Sequence, residues 1–318
     1  MRNAFERTLP GAAPSFQAAL RTAAVAAATD VSVLVLGETG TGKELLARAL
    51  HAESPRSRGP FVSVNCATLP DGLAEAQLFG HRKGAFTGAV DHRPGLAASA
   101  AGGTLFLDEV GELSAAVQAK LLRFLEAGEY QPVGATAPER ADARVVAATN
   151  RDLPGEVRAG RFREDLYYRL HVVPVELPPL RERQGDLPLL LERLTADLAA
   201  RHGVAAPTFN RAARALLEAH PWPGNVRELR NLCERLVILL PGREIGPANL
   251  PADLQRAGAA GEGPFTLPEG GLRLDALEAD LIRQALAKTA GNRSRAARLL
   301  GLTRDTLLYR LKKYAIQG

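Results

Sequence analysis

Five short runs of β-branched and other apolar residues, each closed by turn residues, mark the first half of the chain. They are VSVLVLG (31 to 37), PFVSVNC (60 to 66), GTLFLDEV (103 to 110), ARVVAATN (143 to 150) and HVVPVELP (171 to 178). Between them stand stretches with apolar residues three and four apart, such as ELLARALHAE (44 to 53) and AAVQAKLLRFLEAG (115 to 128), and a short helical stretch near 156 to 170 joins the last two runs. Strand alternating with helix predicts repeated βα units around a parallel sheet. An α/β domain is therefore expected over residues 1 to 180, with one further helix near Phe16 to Ala28 ahead of the first strand.

From Asp186 onward the strand pattern stops. DLPLLLERLTADLAARHG, NRAARALLEAH and NVRELRNLCERLVILL carry helical spacing, which predicts a small helical bundle over 181 to 254. QRAGAAGEGPFTLPEGG (255 to 271) is rich in Gly, Pro and Ala without periodicity and reads as a linker. A helical module fills 272 to 318, and no internal repeat is visible.

Composition narrows the class. With 318 residues, 46% hydrophobic and 24% charged, the chain can build two or three cores, and disorder over most of it is excluded. No apolar stretch reaches the roughly 18 residues of a spanning helix, and no secretion signal is evident, so a cytoplasmic protein with no membrane partner is expected. The two cysteines, Cys66 and Cys233, are too few for a disulfide framework. The net charge of +5 is unevenly placed: residues 272 to 318 hold ten Lys/Arg against four Asp/Glu, so this small unit carries +6 and the rest of the chain −1. A basic tip on a near-neutral body points to a polyanionic partner for the tip alone.

The segment GETGTGKE, that is Gly37, Glu38, Thr39, Gly40, Thr41, Gly42, Lys43 and Glu44, matches G-x-x-x-x-G-K directly between a strand and a helix. In that setting the glycines let backbone N–H groups approach phosphates, the helix N-terminus adds its dipole, and Lys43 reaches the β/γ-phosphates. Glu44 stands where Ser or Thr would meet Mg²⁺, so the metal must lean on another carboxylate. GTLFLDEV supplies it: Asp108 is placed to hold Mg²⁺ through water and Glu109 to polarise an attacking water, at the carboxyl edge where open α/β sheets bind ligands. Asn65 and the pair Thr149 and Asn150 end neighbouring strands at the same edge.

The loop GAFTGA (84 to 89), following LFGHRK, sets a Phe-Thr pair among small residues. In order along the chain, GETGTGKE, VNCATL, LFGHRKGAFTGA, GTLFLDEV, AATN, FREDLYYRL and WPGNVREL resemble the AAA+ domain of the bacterial enhancer-binding proteins, the NtrC-like ATPases that activate RNA polymerase carrying sigma-54. The resemblance covers roughly residues 10 to 250, and a phosphate loop ending in Lys-Glu is usual in that family. It implies ATP and Mg²⁺ as cofactors, with Asp108 and Glu109 as the metal-binding and water-activating acids. Asn65 would be a switch sensing the γ-phosphate through Glu109, and Asn150 a first sensor. Arg163 and Arg169 would be arginine fingers acting on a neighbouring subunit, and Arg227 a sensor on the lid. Gly84, Ala85, Phe86, Thr87, Gly88 and Ala89 would form the sigma-54 contact, with Phe86 and Thr87 touching it. A finger acting in trans requires an oligomer, and the family forms hexamers.

The C-terminal module resembles the Fis-type DNA-binding domain of the same family. Independently, NRSRAARLLGLTRDTLLYRLKKYAI (292 to 316) reads as helix, turn at Gly301, helix, with Thr303 as cap and Leu307, Leu308 and Leu311 toward a core. Arg304, Asp305 and Thr306 are then placed for base edges, and Arg310, Lys312 and Lys313 for phosphates, with Tyr309 on the same exposed side. The Fis-type resemblance further implies that the helix over 272 to 291 pairs with its copy in another subunit, and a dimer would bind a near-palindromic double-stranded site upstream of a promoter. An AAA+ remodelling ATPase unconnected with sigma-54, and a repressor that only binds ATP, are the competing readings. Only 36 residues precede Gly37. Control by a separate regulator in trans or by expression is expected, unless the chain is a trimmed form of a longer protein.

Overall fold

The computed structural model describes residues 4–70, 72–86, 90–257, 272–289, 291–314 and 316. The chain divides into two compact units, Met1–Gly258 and Ala259–Gly318.

The five apolar runs form one parallel sheet in the order Phe61–Asn65, Thr104–Asp108, Arg144–Thr149, Val33–Leu36, Val173–Glu176. Its register decides the chemistry. Asn65 lies opposite Asp108 and Thr149 opposite Leu36, so the polar strand ends line up along one carboxyl edge. Alternation along each strand splits the apolar residues between two cores. Leu34, Leu105, Leu107 and Ala147 pack with Val117, Leu121 and Phe124 of the helix Ala115–Ala127 on one face. Val33, Val35, Phe106 and Val146 pack with Phe16, Leu20, Leu46 and Leu50 on the other. Those last four belong to the helices Pro14–Ala27 and Lys43–Ala52. At about 1.5–3 kcal/mol for each fully buried large aliphatic side chain, this double burial makes the edge a rigid platform. Arg144, buried at the start of its strand, donates to the carbonyls of Ala26 and Ala27, where a cation suits the C-terminal end of a helix.

The helical stretch expected near 156 to 170 is two helices, Leu153–Arg158 and Glu164–Leu170, parted where Gly160 takes a positive φ. Two short antiparallel pairs were not legible as strands: Gly80–His81 with Arg93–Pro94, which flanks the GAFTGA segment, and Glu129–Tyr130 with Glu139–Arg140. Two-residue strands carry no period to read.

Beyond the sheet, Asp186–His202, Arg211–Ala219 and Asn225–Leu239 bury Leu190, Leu198, Leu217, Trp222, Leu229 and Leu236 around a third core. A last helix, Ala252–Ala257, runs past Leu254, the expected end of the bundle, so a linker starting at 255 begins too early. Of that expected linker, 258–271 lie outside the described residues. The second unit holds Leu274–Lys288, Arg293–Leu299 and Arg304–Lys313 around Ile282, Leu286, Ala297, Leu307 and Leu311. Leu308 is only half-buried there.

Candidate functional site

The phosphate loop turns where its glycines permit it. Gly42, at φ 106°, precedes the helix Lys43–Ala52, and Gly40, at φ 84°, runs so close to the lid that a Cβ would sit 2.2 Å from the Gly224 carbonyl oxygen. Lys43 is buried, donates to the Gly37 carbonyl at 2.9 Å and stands 3.5 Å from Glu109. Glu109 occupies the left-handed region at φ 52°, a conformation costing a non-glycine residue about 1–3 kcal/mol. The neighbours that hold it are visible: besides Lys43, its Oε2 accepts from the Asn150 N–H at 3.2 Å. Asn150 also donates from its amide to the Thr39 hydroxyl at 3.2 Å, tying the strand end to the phosphate loop.

A cavity of about 500 Å³ lies beside these groups, lined among others by Thr39, Gly40, Thr41, Gly42, Lys43, Glu44, Asp108, Glu109 and Arg227 but not by Asn150. Its volume suits a nucleotide. Burial, and then the charge of Glu109, raise the pKa of Asp108, so this half-buried acid pair favours a cation beside it. No group of three or more His, Cys, Asp or Glu able to share a metal ion occurs among the described residues. That donor set fits Mg²⁺, which is bound by one or two carboxylates together with substrate phosphates rather than by an all-protein cage. Asp108 is the residue that would hold it. Glu44 lines the cavity but pairs with Arg48 at 2.7 Å.

Other expected residues are placed differently. Asn65 Oδ1 accepts from the Ala67 N–H at 2.9 Å and so caps the turn Cys66–Thr68. Burial pushes the neighbouring Cys66 thiol up to about 12, and Asp108 and Glu109 add to the shift, which keeps the thiol neutral. Arg163 and Arg169 do not line this chain's cavity: Arg163 pairs with Asp165 at 2.7 Å on an exposed surface, and Arg169 donates to the Leu125 carbonyl. Buried Gln118 fixes the segment by accepting from the Arg163 N–H at 2.9 Å. Of the GAFTGA segment, Phe86 packs against His81 with the rings tilted at 58° and centroids 5.0 Å apart, and Gly134 packs close to Ala85. Gly84 takes a positive φ, while Thr87, Gly88 and Ala89 lie outside the described residues.

Sequence reasoning missed several lining residues. Arg230 follows Arg227 by three positions, hence on the same helix face, a signal that was available. Arg7 and Arg193 also line the cavity, but come from the opening segment and the first lid helix, and nothing in the sequence foretold their approach.

In the second unit, the Thr303 hydroxyl accepts from the Thr306 N–H at 3.2 Å and caps Arg304–Lys313, while Gly301 makes the turn at φ 64°. Arg304, Asp305, Tyr309, Lys312 and Lys313 are exposed, and Thr306 is half-buried against Thr303. Arg310 differs from the group it was assigned to: its guanidinium is bonded to Glu278 of the preceding long helix, beside Tyr314, whose hydroxyl bonds the same carboxylate. It braces the helices of the unit.

A glycine-rich loop between strand and helix, an acidic strand end facing it and a helical lid bearing an arginine over the same cavity define a P-loop ATPase of the AAA+ class. Comparisons with known proteins sharpen this. Residues 9–176 match the Sigma-54 interaction domain, 181–264 the AAA+ ATPase lid domain, and 273–314 the bacterial regulatory protein, Fis family. Transcriptional regulatory protein ZraR of Escherichia coli (strain K12) is 46% identical over 303 residues, covering 95% of this chain and 68% of its own length. DNA-binding transcriptional regulator NtrC of Rhizobium meliloti (strain 1021) is 43% identical over 338 residues, covering 97% and 70%. The crystal structure of NtrX from Brucella abortus in complex with ATP superimposes with a TM-score of 0.73 at 34% identity, covering 97% of this chain and 69% of that one. The chain belongs to the sigma-54-dependent bacterial enhancer-binding family of transcriptional activators, with an ATPase domain and a Fis-type helix-turn-helix. No described helix is long and apolar enough to cross a membrane.

Proposed function

We propose that this chain assembles into a ring, with six subunits the family expectation, and uses ATP hydrolysis to remodel the sigma-54 polymerase closed complex from an upstream DNA site. Asp108 would hold Mg²⁺, which would offset the negative charge of the phosphates. Glu109, fixed between Lys43 and the Asn150 N–H, takes the proton of the attacking water. Lys43 and Arg227 bind and orient the phosphates. Arg163 and Arg169 complete the site of the adjacent subunit, where a finger supplies about 10³–10⁵ in rate. The observation that carries this reading is that Thr39, Lys43, Glu109 and Arg227 surround one cavity while both finger arginines lie on the chain's own outer surface. The GAFTGA segment, Gly84 to Ala89, meets sigma-54. The second unit, working as a dimer, reads double-stranded DNA through Arg304, Asp305 and Thr306 and grips phosphates through Lys312 and Lys313.

Two experiments test it. Thr87→Ala is expected to keep ATP hydrolysis within about twofold and to abolish open-complex formation by sigma-54 polymerase on a supercoiled template. Open complexes at the normal rate would favour a remodelling ATPase that works on another target. Separately, Arg163→Ala and Glu109→Gln chains, each inactive alone, are expected to regain turnover when mixed. Rings that form from the mixture without recovering hydrolysis would remove the trans assignment.

A further inference from the structure

Behind the cavity the phosphate loop is bonded directly to the lid, and one buried side chain sits at the centre of the connection. Asn225, the first residue of the helix that carries Arg227, is fully buried and held at φ 52°. Its Oδ1 accepts from the Leu180 N–H at 2.7 Å, where the chain leaves the sheet for the lid. Its Nδ2 donates to Glu38 Oε2 and to the Thr39 carbonyl, each at 3.1 Å. The side chain thus reaches two partners on the phosphate loop and one at the root of the lid, with a longer donation to the Pro223 carbonyl at 3.5 Å. Asp could not make the two donations, and an aliphatic residue could make none.

The surroundings reinforce the same contact. Glu38 receives both guanidinium nitrogens of Arg181, at 2.8 and 2.5 Å. The Arg227 N–H reaches the Gly40 carbonyl at 3.3 Å. The turn leading in, Trp222-Pro223-Gly224-Asn225, is closed by the Asn225 N–H on the Trp222 carbonyl at 2.8 Å, with Trp222 buried and itself at φ 51°. Two left-handed non-glycine residues three positions apart are retained by a segment whose geometry is over-determined, which is where strain is found when position matters.

We propose that Asn225 is a positioning residue for ATP hydrolysis: its amide locks the phosphate loop to the root of the lid, and this lock sets where Arg227, two residues further on, meets the nucleotide. The inference rests on the ATPase reading above and adds to it how the lid is held in register. It assigns Glu38 and Arg181 the same task from the exposed side.

The test uses the full chain with single-turnover hydrolysis and ATP binding measured separately. Asn225→Gly keeps the left-handed backbone and deletes the side-chain bonds to Leu180, Glu38 and Thr39 together with the longer one to Pro223. Its kcat is expected to fall at least about tenfold while ATP affinity stays within about threefold, and Asn225→Asp, which sets a carboxylate against Glu38, is expected to be no better. Arg181→Ala is expected to lower kcat by about threefold. Acting through Arg227 has a signature: in an Arg227→Ala background, Asn225→Gly should cost less than about twofold more. A loss confined to KM, or losses that multiply across the two sites, would overturn the proposal. If Asn225→Gly does not fold cooperatively, the cycle of Arg181→Ala with Arg227→Ala decides in the same way. A wild-type chain without hydrolysis would remove the ATPase reading itself, whereas wild-type hydrolysis that Asn225→Gly leaves unchanged would remove only the lock.

Discussion

Two arginines two residues apart leave the turn at the root of the lid in different directions and enter opposite surroundings. Arg183 points inward. It donates to Asp186 at 2.8 Å and to the Pro10 carbonyl at 2.9 Å, and its guanidinium lies 3.5 Å over the Phe16 ring. Asp186 also accepts from the N–H groups of Ala12 and Ala13, so the pair ties the opening segment, one wall of the nucleotide cavity, to the first lid helix. The pair is sealed, with side chains 2% and 0% exposed. Arg181 points outward to Glu38, with side chains 42% and 40% exposed. The ion pair is the same type in both places, but water reaches only one of them. The buried pair cannot be opened without stranding charge, so it fixes the cavity wall permanently. The exposed pair exchanges readily with water, so it can be lost at little cost in stability.

Breaking the buried pair should have the largest effect. Asp186→Ala leaves the Arg183 guanidinium buried without its carboxylate, and truncating one partner of such a pair costs about 3–5 kcal/mol. Burial already pulls the Arg183 pKa down, with Asp186 opposing that shift, so losing Asp186 removes the group that offsets the cost of burying the cation. Urea unfolding of the first unit, followed by Trp222 fluorescence, checks it. A loss below about 1 kcal/mol would mean that water enters the site and that the contrast with Arg181 is false. Replacing both residues, Arg183→Met with Asp186→Leu, sharpens the point. Buried ion pairs are often exchanged for apolar residues at no cost, yet here the buried Ala13 N–H would lose its acceptor, a loss of about 1–3 kcal/mol. The double variant is therefore expected to lie between Asp186→Ala and wild type.

The same contrast explains what could be read in advance. The sheet was legible because apolar runs bounded by turn residues are local signals, and the phosphate loop because its glycines and Lys43 act within eight consecutive residues. Asp108 and Glu109 were legible because a strand end locates its own side chains. Asn65 was legible as a strand end but not as the cap of the turn after it, since that bond depends on a backbone bend two residues on. Nothing local marks Asp186 or Asn225. Asp186 meets residues 12 and 13, and Asn225 meets 38 and 39, only because the lid folds back over the sheet. Glu38 illustrates the limit: it was assigned to the nucleotide with the rest of its loop, yet its carboxylate is engaged by Arg181 and Asn225.

The exposed pair should give the smallest stability effect, and its pH dependence distinguishes a charge contact from packing. Arg181, and after it Asn225, hold Glu38 well below its ordinary 4.5, at about 2. A carboxylate whose pKa is lowered in the folded state stabilises the fold above its unfolded value, and that contribution is lost as pH falls through the folded one. The stability gap between wild type and Arg181→Ala should therefore be full at pH 7, narrow below about pH 4.5 and vanish near pH 2. Exposure to solvent keeps the gap small, and added salt should narrow it further at neutral pH, whereas the gap produced by Asp186→Ala should hardly respond to salt. Denaturation curves for the variants at pH 7, 4 and 3, each with and without salt, measure both slopes. A gap for Arg181→Ala that ignored both pH and salt would show that its aliphatic stem, rather than its charge, joins the lid to the phosphate loop.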